Sequence, residues 1–140
     1  MGVVTAEITL VNPLDVGYAR DGYIKAEEIR SVTVQAMVDT GAMTLIITEE
    51  LREKLGLGIV QEKNVRVANG QRVKSHVTEA VEIHWKNRFM SLSPIVIPGA
   101  ELILLGLIPL EGMDLIVNPV TQELVGAHGD VEEVMCISAR

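Results

Sequence analysis

The alternation of apolar and polar positions is clearest between Arg30 and Val38. Val32, Val34, Ala36 and Val38 fall on one parity, and Ser31, Thr33, Gln35 and Met37 on the other. A period of two predicts a strand with one face buried. Upstream, Val3 to Val11 reads as a strand that ends at the turn signal Asn12-Pro13. Asp15 to Gly22, with Gly17, Asp21 and Gly22, reads as a loop or hairpin connection, and Tyr23 to Glu28 as a short strand. Downstream, Leu45-Ile46-Ile47 is a short apolar strand. Thr48 then has the character of an N-cap, with Glu49 and Glu50 in the positive first turn of a helix. Leu51 and Leu55 share one face of it, Glu50 and Lys54 can pair on another, and Gly56 ends it. This is the one convincing helix in the pattern.

The second half is richer in strands. Val65 and Val67 lead to Asn69-Gly70, a hairpin signal that points to a type I′ turn with positive φ at both central residues. The return reads as one long strand: Val73, Val77, Val81, Ile83 and Trp85 share a parity, as do Lys74, His76, Glu82, His84 and Lys86. Lys86-Asn87-Arg88 turns the chain, and Phe89 to Ile97 is another strand. Leu102 to Leu105 runs apolar into Gly106, and Pro109 opens a short helical turn. Met113 to Val117 is a strand, Asn118 to Thr121 a β-turn, Glu123 to Val125 a short strand and Val131 to Ile137 a last one. There is no repeat, low-complexity tract or linker. Many short strands with one short helix predict an all-β domain, closed or sandwich-like.

Composition narrows this picture. The 140 residues suffice for one domain with a real core, read as a single domain over 1–140. Hydrophobic residues make up 48% and argue against disorder, while aromatics at 3% require an aliphatic core. The net charge of −7 and the lack of a basic cluster along the chain argue against a nucleic-acid partner. Cys136 is the one cysteine, so no internal disulfide forms, which fits a reducing, cytoplasmic setting. No signal peptide opens the chain, and Ala6 breaks the myristoylation pattern. Leu92 to Leu110 is the most apolar stretch, but Pro94, Pro98, Gly99, Glu101 and Pro109 argue against a membrane span. Met1 reads as a plausible start rather than a cut from a longer polyprotein.

The candidate chemistry lies at Val38-Asp39-Thr40-Gly41-Ala42. A carboxylate has no structural reason to end a buried strand, and proteins accept that cost mainly where chemistry is done. Asp39 also suits a turn, where Asp and Gly are common. His76, Glu82 and His84 share a parity, but eight residues along a strand is too far for both histidines to reach one ion, so no metal site is expected. His128 reads as part of a tail, and Trp85 as core or interface. No Ser-His-Asp or Cys-His spacing stands out.

Three features in order carry a resemblance: Asp39-Thr40-Gly41-Ala42, the Asn69-Gly70 hairpin, and Leu102-Ile103-Leu104-Leu105-Gly106. Together they resemble the retropepsin-like aspartic proteases, the single-lobe relatives of pepsin. Leu105 to Leu110 followed by Asp114-Leu115-Ile116-Val117 is similar to small bacterial and archaeal members. The resemblance implies a closed, barrel-like one-lobe acid-protease fold with a flap hairpin. It implies Asp39 as the catalytic carboxylate of an aspartic endopeptidase, with no cofactor. It also implies that Thr40, Gly41 and Ala42 form the active-site loop. Ala68, Asn69 and Gly70 would be the flap tip over an extended peptide, and Gly106 the packing point beneath the loop. The flap has a single glycine and no flap tyrosine, and Met43 and Thr44 stand where retroviral enzymes carry acidic residues, which bears on substrate preference. This route to peptide hydrolysis needs two carboxylates around one water. The chain has one Asp-Thr-Gly, so the second must come from another copy in a two-fold homodimer. Residues 126–140 then read as a C-terminal dimerisation strand or a tail. The rival reading keeps the fold as a peptide-binding or dimerisation module that hardly hydrolyses.

Overall fold

A computed structural model describes residues 3–133. In chain order it contains β1 (Thr5–Val11), α1 (Pro13–Arg20), β2 (Ser31–Val38), β3 (Leu45–Ile47) and α2 (Glu49–Leu55). Then come β4 (Ile59–Arg66), β5 (Arg72–Thr78), β6 (Val81–Trp85), β7 (Arg88–Leu92), β8 (Ile95–Val96) and β9 (Leu104–Leu105). The described part closes with α3 (Leu107–Gly112), β10 (Leu115–Asn118) and β11 (Glu123–Gly126). Nine strands form one sheet in the order β4-β5-β8-β3-β9-β2-β1-β6-β7, and β10 and β11 form a separate hairpin. The hydrogen-bonded order has two ends, β4 and β7.

The core is aliphatic, as the shortage of aromatics requires. Ala6, Ile8 and Leu10 alternate inward from β1 and meet Val81, Ile83 and Trp85 of β6. Leu45, Ile47, Leu55, Leu57 and Leu105 join them at 0–1% exposure. Each such side chain removed from water contributes roughly 2 kcal/mol, so this cluster fixes the register of the sheet. Helix α2 is built as its sequence predicts. The Thr48 hydroxyl accepts the Leu51 N–H at 3.1 Å, Leu51 and Leu55 face the core, and Gly56 ends the helix at φ +68°.

Several expectations from the pattern are corrected. The segment after Asn12 is helix α1 and not a loop. Asn12 Oδ1 accepts the N–H groups of Leu14 and Asp15 at 2.9 and 3.2 Å, and Pro13 occupies the first helical position. Asn12-Pro13 therefore starts a helix, the position where a proline lacking an N–H costs least. The residues expected as a strand after Gly22 hold a 3-10 turn at Ala26–Glu28. Helix α3 contains Pro109, where a short helical turn is expected, so of the three α-helices among the described residues only α1 is unexpected.

The expected long return strand is two strands, β5 and β6. Between them Glu79 N–H turns away to donate to Gly58 O at 2.8 Å, so β5 pairs with β4 and β8 while β6 pairs with β1 and β7. A constant parity ran across the break and concealed it. Phe89 to Ile97 likewise divides into β7 and β8, separated at Ser93-Pro94. The strand expected over Val131 to Ile137 lies partly outside the described residues, as does Cys136; Val131 to Glu133 are not in a strand. No helix among the described residues is long and apolar enough to cross a membrane.

Candidate active site

Strand β9 is placed between β2 and β3, parallel to β2 and antiparallel to β3. The loop joining β2 to β3 must therefore pass over the end of β9. That loop is Asp39 to Thr44. Asp39 N–H donates to Leu105 O at 3.0 Å, Gly106 N–H to Thr44 O at 3.1 Å, Leu107 N–H to Ala42 O at 2.9 Å and Ile108 N–H to Met43 O at 2.8 Å. Four backbone bonds thus seat the loop on the junction of β9 and α3, and each satisfies a group that a loose loop would leave to water.

Gly106 is required by distance. A Cβ there would lie 2.4 Å from Thr44 O and 2.6 Å from Ala42 O, closer than any side chain permits. Gly41 serves the carboxylate. Its N–H donates to Asp39 Oδ1 at 2.9 Å, which fixes the side-chain rotamer, and Ala42 N–H closes the turn on Asp39 O at 3.1 Å. Asp39 is half-buried and not fully buried as its place after an apolar strand predicted, while Thr40 and Gly41 are exposed. The Asp39 loop is therefore one wall of an open face. Two clefts lie elsewhere, around Trp85, Lys86 and Leu124, and neither is lined by Asp39.

The expected site residues fall into two groups. Asp39, Thr40, Gly41, Ala42 and Gly106 come together as one unit. Ala68, Asn69 and Gly70 form the exposed tip of the β4–β5 hairpin. No hydrogen bond among the described residues joins that tip to the Asp39 loop. The turn itself differs from expectation. Val67 N–H donates to Gln71 O and Gly70 N–H to Val67 O, both at 2.9 Å. Gly70 has φ +85°, whereas Asn69 does not have positive φ. This is a three-residue loop whose glycine takes the left-handed position, and not a two-residue type I′ turn. Asn69 Oδ1 accepts the Gln71 N–H at 2.9 Å and stiffens it.

Other candidates resolve into structural roles. His76 lies on β5 beside Glu62 at 3.9 Å, and His84 lies on β6 with Glu82 at 3.0 Å. No group of metal-ligating side chains occurs among the described residues. Trp85 is core. His128, expected in a tail, is tied back to the body: Asp114 holds its Nδ1 at 2.8 Å, and Glu133 N–H donates to the same carboxylate at 2.9 Å. That backbone donor and the imidazole hold the Asp114 carboxyl below its usual range, and Asp114 in turn raises His128.

Sequence reading missed two buried charged groups. Asp15 is buried, and both its oxygens meet the Arg30 guanidinium at 2.8 and 3.0 Å, which lowers its titration. Arg88 is 1% exposed and donates to Gly129 O at 3.0 Å, with its Nε unpartnered among the described residues. The Asn12-Pro13 helix start was a usable signal for the first; nothing in the local sequence marks the second.

A family model described as aspartyl protease matches residues 27–108, a span that runs from before β2 into α3. Among solved structures, the chain is similar to the EIAV protease complexed with the inhibitor HBY-793. The identity is 19% and the TM-score 0.55, covering 76% of this chain and 84% of that one. It is also similar to the retroviral protease-like domain of Ddi1 from Leishmania major, at 16% identity and TM-score 0.54, covering 94% and 93%. A retropepsin-like aspartic protease from Rickettsia conorii aligns at 20% identity and TM-score 0.45, covering 84% and 89%. No curated protein matches the chain.

Proposed function

We propose, from the premise that this chain belongs to the aspartyl protease family, that it is an aspartic endopeptidase acting as a homodimer. The observation that carries the reading is the seating of Asp39. Its loop is bonded to β9 and Gly106, and its Oδ1 is fixed by the Gly41 N–H at 2.9 Å, while the face it borders stays open. With one Asp-Thr-Gly per chain, a two-fold axis beside this loop supplies the missing carboxylate. On this reading residues 1–140 are one retropepsin-like domain, with a barrel-like lobe, and the β4–β5 hairpin is its flap. A reducing compartment such as the cytoplasm suits its single cysteine.

The chemistry follows from the pair. Two carboxylates placed that close share one proton, because both cannot ionise cheaply. The ionised one takes a proton from a water, whose oxygen attacks the scissile carbonyl carbon. The protonated one gives its proton to the carbonyl oxygen. The tetrahedral intermediate then collapses, a proton passes to the leaving amine, and the C–N bond breaks without a covalent enzyme intermediate. Thr40, exposed at the loop, would brace its copy across the axis. Ala42 would line the substrate backbone, and Ala68, Asn69 and Gly70 would close over an extended peptide.

The test is cleavage of a peptide library from acidic to neutral pH by the wild type and by Asp39→Asn, with binding of a statine peptide as second readout. Cleavage and inhibitor binding that both vanish in Asp39→Asn are expected. Equal behaviour of the two proteins refutes the assignment. Absence of cleavage together with inhibitor binding indifferent to Asp39→Asn would favour the peptide-binding module.

A further inference from the structure

The β4–β5 hairpin is basic on an otherwise acidic protein. Lys63, Arg66, Arg72 and Lys74 lie within residues 62–76 against one acid, Glu62. That leaves 8 of the 12 basic residues and 18 of the 19 acidic ones to the rest of the chain. The hairpin register sorts these charges by face. Arg66 stands opposite Arg72, Asn64 opposite Lys74 and Glu62 opposite His76, so these six share one face. Val65 with Val73 and Lys63 with Ser75 share the other, and Ser75 is buried there. The Arg66 face is therefore the outer one. A basic cluster thus exists, although reading the chain linearly shows none.

The two arginines at its end are unusual for this protein. Arg20, Arg30 and Arg52 each pair with a carboxylate, and Arg88 is buried against backbone carbonyls. Arg66 and Arg72 are exposed and directly opposed, with no ion pair or side-chain hydrogen bond among the described residues. Like charges facing each other across a ladder destabilise it. An independent observation concerns the backbone. Among the described residues strand β4 is an edge of the sheet, exposed over most of its length, with one row of N–H and C=O groups that no described strand pairs. Cations on an edge discourage a second basic strand from adding to it and favour an acidic one.

We propose that the outer face and free edge of the β4–β5 hairpin form a docking surface for an acidic stretch of extended polypeptide. Its carboxylates would meet Arg66 and Arg72, beside Lys74, which pairs with Glu62 at 3.6 Å, while its backbone adds along β4. An acidic peptide suits the surface better than a nucleic acid. The positive area is one hairpin wide, and a long polyanion would run onto a body rich in carboxylates within a Debye length of about 8 Å. The location next to a peptide-cleaving site rests on the proposed function above; the docking itself does not.

The experiment therefore reads binding without turnover. Fluorescence anisotropy is measured on the full chain carrying Asp39→Asn, with one labelled neutral peptide and with versions extended by a Glu tract or a Lys tract. The Glu peptide is expected to bind about tenfold tighter than the Lys peptide at low salt, and less so at physiological salt. Adding Arg66→Gln and Arg72→Gln should abolish most of that preference, and Arg66→Glu with Arg72→Glu should reverse it; thermal melts confirm that both variants fold. Equal binding of the three peptides, a preference unchanged by the variants, or tighter binding of a single-stranded oligonucleotide of equal charge overturns the proposal. Failure of the protease assignment alone would leave the Glu preference intact.

Discussion

Replacing Gly106 by Ala tests whether the Asp39 loop is seated as described. The added Cβ would lie 2.4 Å from Thr44 O, 2.6 Å from Ala42 O and 2.9 Å from Ala42 C. Carbon–oxygen contacts normally begin near 3.3 Å, so the loop must withdraw by about 1 Å. All three obstacles are backbone, and no rotamer change relieves them. The same carbonyls accept the Gly106 and Leu107 N–H groups, so withdrawal also strains two hydrogen bonds. Overpacking costs about 1–3 kcal/mol and each weakened bond about 1 kcal/mol, giving about 3 kcal/mol or more. For a domain of this size that is a fall in Tm of about 10 °C. On the proposed function, a shift of about 1 Å at Asp39 also lowers kcat/KM by roughly a hundredfold. Gly17→Ala is the matched control. It lies within α1, and its Cβ meets only the end of the Arg20 side chain at 3.9 Å. Helix propensity then predicts a gain of up to about 1 kcal/mol. Scanning calorimetry compares the three proteins. A Gly106→Ala melt within about 2 °C of wild type would refute the seating of the loop.

Two further substitutions probe the buried polar cluster beneath α1. Asp15→Asn leaves the Arg30 guanidinium without its bidentate partner and should cost about 1–2 kcal/mol at pH 7, allowing for solvent around the half-exposed Arg30. Because Arg30 lowers the Asp15 titration, this contribution is complete above the ordinary carboxylate value of 3.8 and is lost as pH falls through the lowered one. Urea unfolding at neutral pH and below about pH 4 should show the variant and wild type converging in acid; a constant gap would contradict the ion pair. Asn12→Ala removes the α1 cap and also the Nδ2 donor that reaches Leu55 O at 2.7 Å. It should cost about 2–3 kcal/mol by the same assay, and a loss under about 0.5 kcal/mol would show that the cap is dispensable.

The parts of the fold that read well from sequence are those where one local rule decides. Alternation placed β2, β-rich composition placed β1, and Thr48 with Gly56 delimited α2. The family resemblance implied Gly106 beneath the Asp39 loop, where the Thr44 and Ala42 carbonyls leave room for glycine alone. What failed depended on partners distant in sequence. The parity of Val73 to Trp85 is unbroken, and only the bond from Glu79 to Gly58 divides β5 from β6. Asn12-Pro13 is compatible with either a turn or a helix start, and the Leu55 carbonyl that holds Asn12 decides between them. Arg66 and Arg72 are six positions apart in the sequence but face each other once the hairpin closes. Arg88 has no local signature, since its partners come from the turn after β11.

The insertion of β9 between β2 and β3 also sets an order of events in biosynthesis. Asp39 leaves the ribosome early, yet the carbonyl that receives its N–H belongs to Leu105, beyond both hairpins of the central sheet. Until Leu104 to Ile108 emerge, the loop has nothing to rest on and the two flanking strands have no common neighbour. Such long-range closure is slow compared with local hairpins. A nascent chain therefore passes through much of its synthesis with its acid unpositioned, and any chemistry this loop supports becomes available only once Ile108 has been made.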